Sequence, residues 1–394
     1  MNPTDSFPLL DGFAIEVPSW GFADTGTRFG KFAQAAAAAT IEEKIEDAAR
    51  VNALTGACPT MAVHVLWDFE PGTDPRSVAQ MAEEHGIRIG SINPNLFQNP
   101  EYKFGSCCSP DPDARKMATA HVLDSIVIGE ATGSNLLSLW LADGINYPGQ
   151  DDLIARKQRL ESALMDWHDA MPDSMTMLVE YKPFEPAFYA TDIADWGMAS
   201  MLCQKAGPRA KVLVDTGHHL QGANIEQIVA WLLDEELLGG FHFNDRKYAD
   251  DDLTLGSIDP YAVFRIFHEI RNAAARGVDV GQIAYMIDQS HNLKPKVEAM
   301  LQSVVTAQEL YLKACLVERE KLAEFQKARD IVGAEECLRG AFFSDVSPIL
   351  RAWRQAKGLP VDPLKAYRES GYAEQKARER SAKRPAASGG SSYA

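Results

Sequence analysis

Eight short apolar runs, each followed by a helical pattern, constrain the fold of this chain more than any other feature. The runs cover residues 13–17, 61–67, 88–93, 136–142, 176–182, 211–216, 240–244 and 284–288. Their nearly continuous Val, Ile and Leu content is typical of parallel strands that are buried on both faces. Eight alternations of strand and helix predict an α/β protein with a closed (β/α)8 barrel.

Helical patterns fill the intervals between these runs. They cover residues 41–54, 74–84, 113–131, 151–170, 192–206, 224–237, 261–275 and 294–317. Thr40 and Glu43 have the spacing of a capping box at the start of the first helix, and Gly207-Pro208 is a stop signal after the fifth. A doubly wound open sheet is the alternative, but its glycine-rich first turn, G-x-G-x-x-G, does not occur here.

The pattern changes after about residue 318. We predict a barrel domain over residues 1–318 that carries the site, a helical extension over 319–382 and a disordered Ser/Gly/Ala-rich tail over 383–394. Within the extension, helical stretches are predicted at 318–331, 334–339, 346–357 and 363–380. The extension either covers the side of the barrel or forms contacts between subunits, and we favour the second interpretation.

Charge and composition exclude several classes of partner. The chain has 39 Lys and Arg residues against 55 Asp and Glu residues, a formal charge of −16. This argues against nucleic acid or an anionic membrane as a partner, since both require clusters of basic residues. The sequence shows no secretory signal and no apolar run of about 18 residues, so we expect a cytoplasmic protein with no membrane span. None of the six cysteines forms a C-x-x-C pair, and we expect reduced thiols.

Four consecutive predicted strands end in residues that can bind a metal ion. They are Glu180, Asp215, His242 and Asp288. Each one alone has an ordinary explanation, as a helix cap or a buried histidine. Because the carboxyl ends of barrel strands converge, together they predict a divalent cation site at the mouth of the barrel.

A second cluster of candidate ligands follows the sixth and seventh strands. His218 comes three residues after Asp215, and Asp250 and Asp252 alternate in a long loop. Consecutive aspartates usually form a solvated turn. The alternative is a second cation, bridged to the first by Asp215, so that two ions polarise adjacent oxygens of a substrate.

Other candidate residues point into the same barrel mouth. Lys182 is two residues after Glu180, a spacing that places both side chains on one face of a strand. His64 is predicted to face inward with Ala62 and Leu66, either as a structural histidine or as a proton donor or acceptor, and Asp68 is a candidate to orient it. Trp67 and Trp140, at the ends of the second and fourth runs, either pack the barrel top or stack on a sugar.

At these residues the chain resembles the xylose-isomerase-like barrel superfamily, and within it the broad-specificity L-rhamnose isomerases. The matching strings are V-E-Y-K-P at 179–183, V-D-T-G-H-H at 214–219, H-F-N-D-R-K-Y-A-D-D-D at 242–252 and M-I-D-Q-S-H-N at 286–292. Further strings are W-G-F-A-D-T-G-T-R-F at 20–29, H-V-L-W-D-F at 64–69 and L-W-L-A-D-G at 139–144. The resemblance extends over residues 15–310.

The resemblance implies a role for each matching residue. A structural metal that holds two substrate hydroxyls would be bound by Glu180, Asp215, His242 and Asp288. A catalytic metal would be bound by His218, Asp250 and Asp252. Lys182 would lie near the reacting oxygens, and His64 would take part in ring opening. Trp67 and Trp140 would form walls of the pocket, and Phe29 would close the pocket of a neighbouring subunit.

The resemblance also implies the reaction and its cofactor. It indicates a homotetramer that interconverts L-rhamnose and L-rhamnulose and also accepts other aldoses. Each subunit would hold two Mn²⁺ ions, or Co²⁺, Mg²⁺ or Zn²⁺ in their place. Hydrogen moves between C1 and C2, and the groups expected to take part are His64, Lys182, His218 and Asp288. Whether it moves as a hydride or as a proton through an enediol stays open.

Three other functions are compatible with such a barrel. A ketose 3-epimerase needs one metal and a carboxylate on each face of the reacting carbon, which leaves the Asp250 and Asp252 pair without a role. A metal-dependent phosphodiesterase or endonuclease would require more histidine ligands and a basic face. A sugar-binding protein without activity is disfavoured by the intact set of ligands.

Overall fold

Eight parallel strands form a closed barrel in the computed structural model, which describes residues 3–27, 30–185, 189–248 and 251–383. The strands are β1 (Val17–Pro18), β2 (Thr60–His64), β3 (Arg88–Asn93), β4 (Leu136–Leu139), β5 (Thr176–Glu180), β6 (Ala210–Asp215), β7 (Leu238–Phe243) and β8 (Ala284–Ile287). The first and last strands meet through Glu16, whose N–H donates to the Tyr285 carbonyl at 2.8 Å and whose carbonyl accepts from the Ile287 N–H at 2.9 Å. The predicted barrel is therefore confirmed.

A helix on the outside of the barrel follows each strand. The helices are α1 (Ile41–Thr55), α2 (Pro75–Glu84), α3 (Pro112–Thr132), α4 (Leu153–Ala170), α5 (Trp196–Ala206), α6 (Ile225–Asp234), α7 (Pro260–Ala275) and α8 (Lys296–Cys315). All but α8 begin after a Thr, Asp or Asn whose side chain accepts a backbone N–H of the first turn. Helices α4 and α5 start later than predicted because Asp152 and Asp195 are their caps.

The second strand is shorter than predicted. Strand β2 ends at His64, and residues Val65–Asp68 form a single helical turn. The turn is held by the Asp68 carboxylate, which accepts the His64 backbone N–H at 2.7 Å. The prediction that Leu66 faces inward with His64 is therefore wrong, since Leu66 is 52% exposed.

Five helices form the extension after the barrel: α9 (Arg319–Ala328), α10 (Ile331–Phe342), α11 (Ser347–Ala356), α12 (Pro363–Glu369) and α13 (Tyr372–Lys383). The predicted helix 363–380 is interrupted at Gly371, whose φ of +67° belongs to the left-handed region that favours glycine. The extension packs on the barrel, because the Arg380 guanidinium of α13 hydrogen-bonds to the Asp47 carboxylate of α1. Contacts between subunits stay a prediction, and the predicted tail lies, except for Lys383, outside the described residues.

All six cysteines are free thiols. Within the described ranges, no helix is both long and apolar enough to cross a membrane.

Candidate metal centre

A cavity of about 790 Å³ opens at the carboxyl ends of the barrel strands. Nine of the predicted site residues line it: His64, Trp67, Trp140, Glu180, Lys182, His218, His242, Asp252 and Asp288. Asp215, the tenth, is fully buried next to them at the end of β6. Phe29 and Asp250 lie outside the described residues.

Three carboxylates surround the imidazole of His242. Its Nδ1 atom lies 3.3 Å from Glu180 Oε2, 3.9 Å from Asp215 Oδ2 and 3.9 Å from Asp288 Oδ2. Carboxylates packed this closely repel one another unless a cation compensates their charge. Oxygen donors with one imidazole are a set that Mn²⁺, Co²⁺ and Zn²⁺ accept, so the residues present fit a divalent ion.

His218 belongs to the same group of side chains. Its Nδ1 atom lies 3.0 Å from Glu180 Oε1. Ligand atoms of Glu180, Asp215 and His218 lie within 4.8 Å of one another, and so do those of Asp215, His242 and Asp288. Asp215 is common to both groups, and its predicted role as a bridge between two ions stays a prediction.

Asp252 lies in the loop between β7 and α7. It lines the cavity and has a φ of +44°, which is unusual for a residue other than glycine. Among the described residues, it is not in any group of three ligands close enough to share an ion. The second metal site at His218, Asp250 and Asp252 therefore stays a prediction.

The charges of the cluster are strongly coupled. Burial opposes the ionisation of Glu180, but His242 and His218 outweigh it and lower the pKa of this carboxyl to about 2. Burial also disfavours charge on His242, yet Glu180 and its neighbours raise the pKa of that imidazole to about 9. Burial raises the pKa of Asp215 to about 7 and also raises that of Asp288. Without a metal, the cluster therefore retains a proton at neutral pH.

Two residues outside the predicted set hold the carboxylates in position. The Asn244 amide donates to Asp215 Oδ1 at 3.1 Å and Oδ2 at 3.2 Å. The Trp20 indole N–H donates to Asp288 Oδ1 at 2.8 Å. Asn244 follows His242 by two residues, a spacing that places both side chains on the same side of the strand end, so its position could have been predicted. No such spacing in the sequence places Trp20 next to Asp288.

Gly217 allows the backbone to lie close to the side chains of Asp215 and Asn244. Its backbone N–H donates to Asp215 Oδ1 at 2.6 Å. A Cβ atom at this position would lie 2.5 Å from Asn244 Oδ1. Any larger residue would therefore displace the amide that holds Asp215.

Aromatic rings form the wall of the cavity around His64. The His64 ring stacks on Trp67 with 3.7 Å between centroids, and the Trp20 ring meets it edge-on at 6.1 Å. Burial lowers the pKa of His64 to about 3, so the ring is neutral at pH 7. Asp68 contacts the backbone N–H of His64, and no hydrogen bond joins it to the ring, in contrast to the predicted orienting role.

Lys182 lines the cavity with Glu180, in agreement with the predicted common face. Its ammonium lies 2.7 Å from Glu185 Oε2 and 5.0 Å from the centroid of the Trp140 ring. Phe97 packs edge-on against the same indole at 4.7 Å. The cavity therefore combines an acidic cluster, an ammonium group and an aromatic wall.

Comparisons with known proteins agree with this architecture. Residues 57–280 match the family model described as the xylose isomerase-like TIM barrel. A protein of Mesorhizobium japonicum named a probable sugar isomerase is 40% identical over 387 residues, which are 97% of this chain and 88% of that protein. One of Rhizobium meliloti with the same description is 39% identical over 383 residues, 96% of this chain and 88% of that protein.

Solved structures share the fold at low sequence identity. A D-allulose 3-epimerase from Methylomonas sp. superposes with a TM-score of 0.53 at 14% identity and covers 77% of this chain and 98% of its own. The family model matches more than half of the chain, and the two relatives match nearly all of it. This chain belongs to the xylose isomerase-like TIM-barrel family.

Proposed function

We propose that this chain is a metal-dependent aldose–ketose isomerase of the L-rhamnose isomerase type, with L-rhamnose and further aldoses as substrates. One observation carries the proposal. Three carboxylates and two imidazoles converge at the base of a cavity that also presents a lysine and several aromatic rings, with Asp215 buried behind the lining residues. The two relatives named as probable sugar isomerases, which match almost the full chain, support an enzyme that acts on sugars.

The acidic cluster would hold the metal, which we propose to be Mn²⁺. The residues in position to bind it are Glu180, Asp215, His242 and Asp288. When bound, a divalent ion supplies Lewis-acid polarisation of neighbouring substrate oxygens. A second ion at His218, Asp250 and Asp252 belongs to the same proposal.

The other cavity residues would bind the sugar and move protons. The neutral His64 ring can accept a proton from a sugar hydroxyl during ring opening, since burial keeps it unprotonated at pH 7. The Lys182 ammonium can stabilise negative charge on a reacting oxygen. The indoles of Trp67 and Trp140 offer apolar faces for the C–H groups of a sugar ring.

An isomerisation assay tests this proposal. The protein is stripped with EDTA, supplied with Mn²⁺ and incubated with L-rhamnose and a panel of aldoses. We expect metal-dependent ketose formation that is lost in Glu180→Gln and retained in Glu130→Gln, a surface carboxylate of α3. Ketose formation that survives metal removal, or none from any aldose, contradicts the proposal.

A ketose 3-epimerase is the second candidate. It is favoured by the grouping of the described ligands around Asp215 and Glu180. Such an enzyme exchanges the hydrogen at C3 of a ketose with solvent. Incorporation of deuterium at C3 in D₂O, without aldose formation, selects this function over the isomerase.

We also propose a homotetramer in which the 319–382 extension contributes contacts and Phe29 closes a neighbouring pocket. The support is the family resemblance of the loop 20–29 and the surface position of the extension. Sedimentation equilibrium of the full chain tests the tetramer. A monomer at micromolar concentration contradicts it.

A further inference from the structure

A buried guanidinium without a carboxylate partner marks a second cleft. Arg354 of α11 is only 4% exposed. Its Nη2 donates to Gln308 Oε1 at 3.0 Å and its Nη1 to the Val361 carbonyl at 3.4 Å. Its Nε has no hydrogen-bond partner, and in the described part of the chain it forms no ion pair. A buried charge in this state is costly unless a counter-charge joins it.

The other buried arginines of the described ranges are paired. Arg156 Nη2 lies 2.7 Å from Asp192 Oδ2. Arg380 Nη1 lies 2.8 Å from Asp47 Oδ2. Among the buried arginines of the described ranges, Arg354 differs from these two in having only neutral acceptors.

Arg354 lines a cleft of about 530 Å³ between the barrel and the helical extension. Arg351, one turn earlier on the exposed side of α11, lines it as well. Lys294 completes the group, and its ammonium contacts only neutral oxygens there, Thr254 Oγ1 at 2.5 Å and Gln302 Oε1 at 3.2 Å. Three cationic side chains therefore surround one cleft in a chain whose formal charge is −16.

The two carboxylates of the cleft are occupied by other partners. Glu309 Oε1 lies 2.7 Å from Lys313 Nζ. Asp362 Oδ1 accepts the Lys365 backbone N–H at the start of α12. Neither forms a hydrogen bond or an ion pair with Arg354, and the three cationic side chains outnumber the two carboxylates of the cleft by one.

We propose that this cleft binds the phosphate group of a small molecule. Arg354 and Arg351 would donate to the phosphate oxygens, with Lys294 as an additional point charge, since guanidinium groups match oxyanions geometrically. The volume suits a ligand of the size of a phosphorylated sugar. This site is separate from the metal centre and does not depend on the proposed isomerase activity.

Calorimetric titration of the full chain tests the site. Inorganic phosphate and a ketose 1-phosphate are titrated in 150 mM NaCl without added metal, with the unphosphorylated ketose as a control ligand. We expect saturable binding of both phosphates and none of the neutral ketose. Tighter binding of the ketose phosphate would identify a phosphorylated metabolite as the ligand, and equal affinities would identify free phosphate; both support the proposal.

Substitutions locate the binding. Arg351→Gln changes an exposed residue and should weaken phosphate binding by about tenfold, through the loss of one charge-assisted hydrogen bond. Arg354→Gln should weaken it further, and if that variant does not fold, Arg351→Gln decides alone. Arg76→Gln, an exposed arginine of α2, should bind as the unchanged protein does. Absence of saturable binding, or equal affinity in Arg351→Gln, overturns the proposal.

Discussion

Replacement of Asn244 should weaken metal binding without touching a proposed ligand. The Asn244 amide donates to both oxygens of Asp215, at 3.1 and 3.2 Å, and Asp215 is fully buried. A hydrogen bond to a charged group contributes about 1.5–3 kcal/mol. Loss of such an outer partner typically lowers metal affinity about 10- to 100-fold, which corresponds to about 1.4–2.7 kcal/mol. We therefore expect Asn244→Ala to raise the Kd for Mn²⁺ by one to two orders of magnitude.

The pKa of Asp215 predicts how the effect of Asn244→Ala on metal binding depends on pH. Burial already raises it to about 7, and loss of the amide donor should raise it further. Mn²⁺ would then have to displace a proton from Asp215 more often, so the loss of Mn²⁺ affinity in Asn244→Ala should be larger at pH 6 than at pH 8. Calorimetric titration at both values measures the effect, with Asn272→Ala in α7 as the matched control. A Kd within twofold of the unchanged protein, in a folded Asn244→Ala variant, refutes the reasoning.

Three further changes have defined outcomes. Despite burial, neighbouring carboxylates raise the pKa of His242 to about 9, so metal binding displaces a proton below that pH. Metal affinity should therefore rise up to about tenfold per pH unit from pH 7 to 9, and titrations showing no change would contradict this. Arg380→Met leaves the Asp47 carboxylate buried without its guanidinium partner and should lower the free energy of unfolding in urea by about 3–5 kcal/mol. The control Arg378→Met changes an exposed residue of the same helix and should lower it by about 0.5 kcal/mol or less. Burial lowers the pKa of His268 from 6.5 to about 4, so its contribution to stability, at most about 3 kcal/mol, is complete above pH 6.5 and is lost as the pH falls towards 4. His268→Phe should flatten this part of the curve of unfolding free energy against pH, and an unchanged curve would refute the prediction.

The barrel was predictable because alternation of apolar runs and helical patterns is a local property of the sequence. The convergence of Glu180, Asp215, His242 and Asp288 was predictable for a related reason. Once the strands are parallel and adjacent, their carboxyl ends must meet.

Other features depend on contacts that one sequence does not display. The end of β2 at His64 depends on the Asp68 carboxylate, which accepts the His64 backbone N–H and so competes with strand extension. The proximity of His218 to Glu180 depends on strand stagger and turn geometry. The packing of α13 on α1 joins Arg380 to Asp47, residues that are 333 positions apart.

The position of a bound metal tests the central claim most directly. Crystals of the full chain soaked with Mn²⁺ and measured near the manganese absorption edge would give an anomalous difference map. We expect a peak within coordination distance of Glu180, Asp215, His242 and Asp288. A map with no peak among these side chains, at a Mn²⁺ concentration that restores activity, would contradict it.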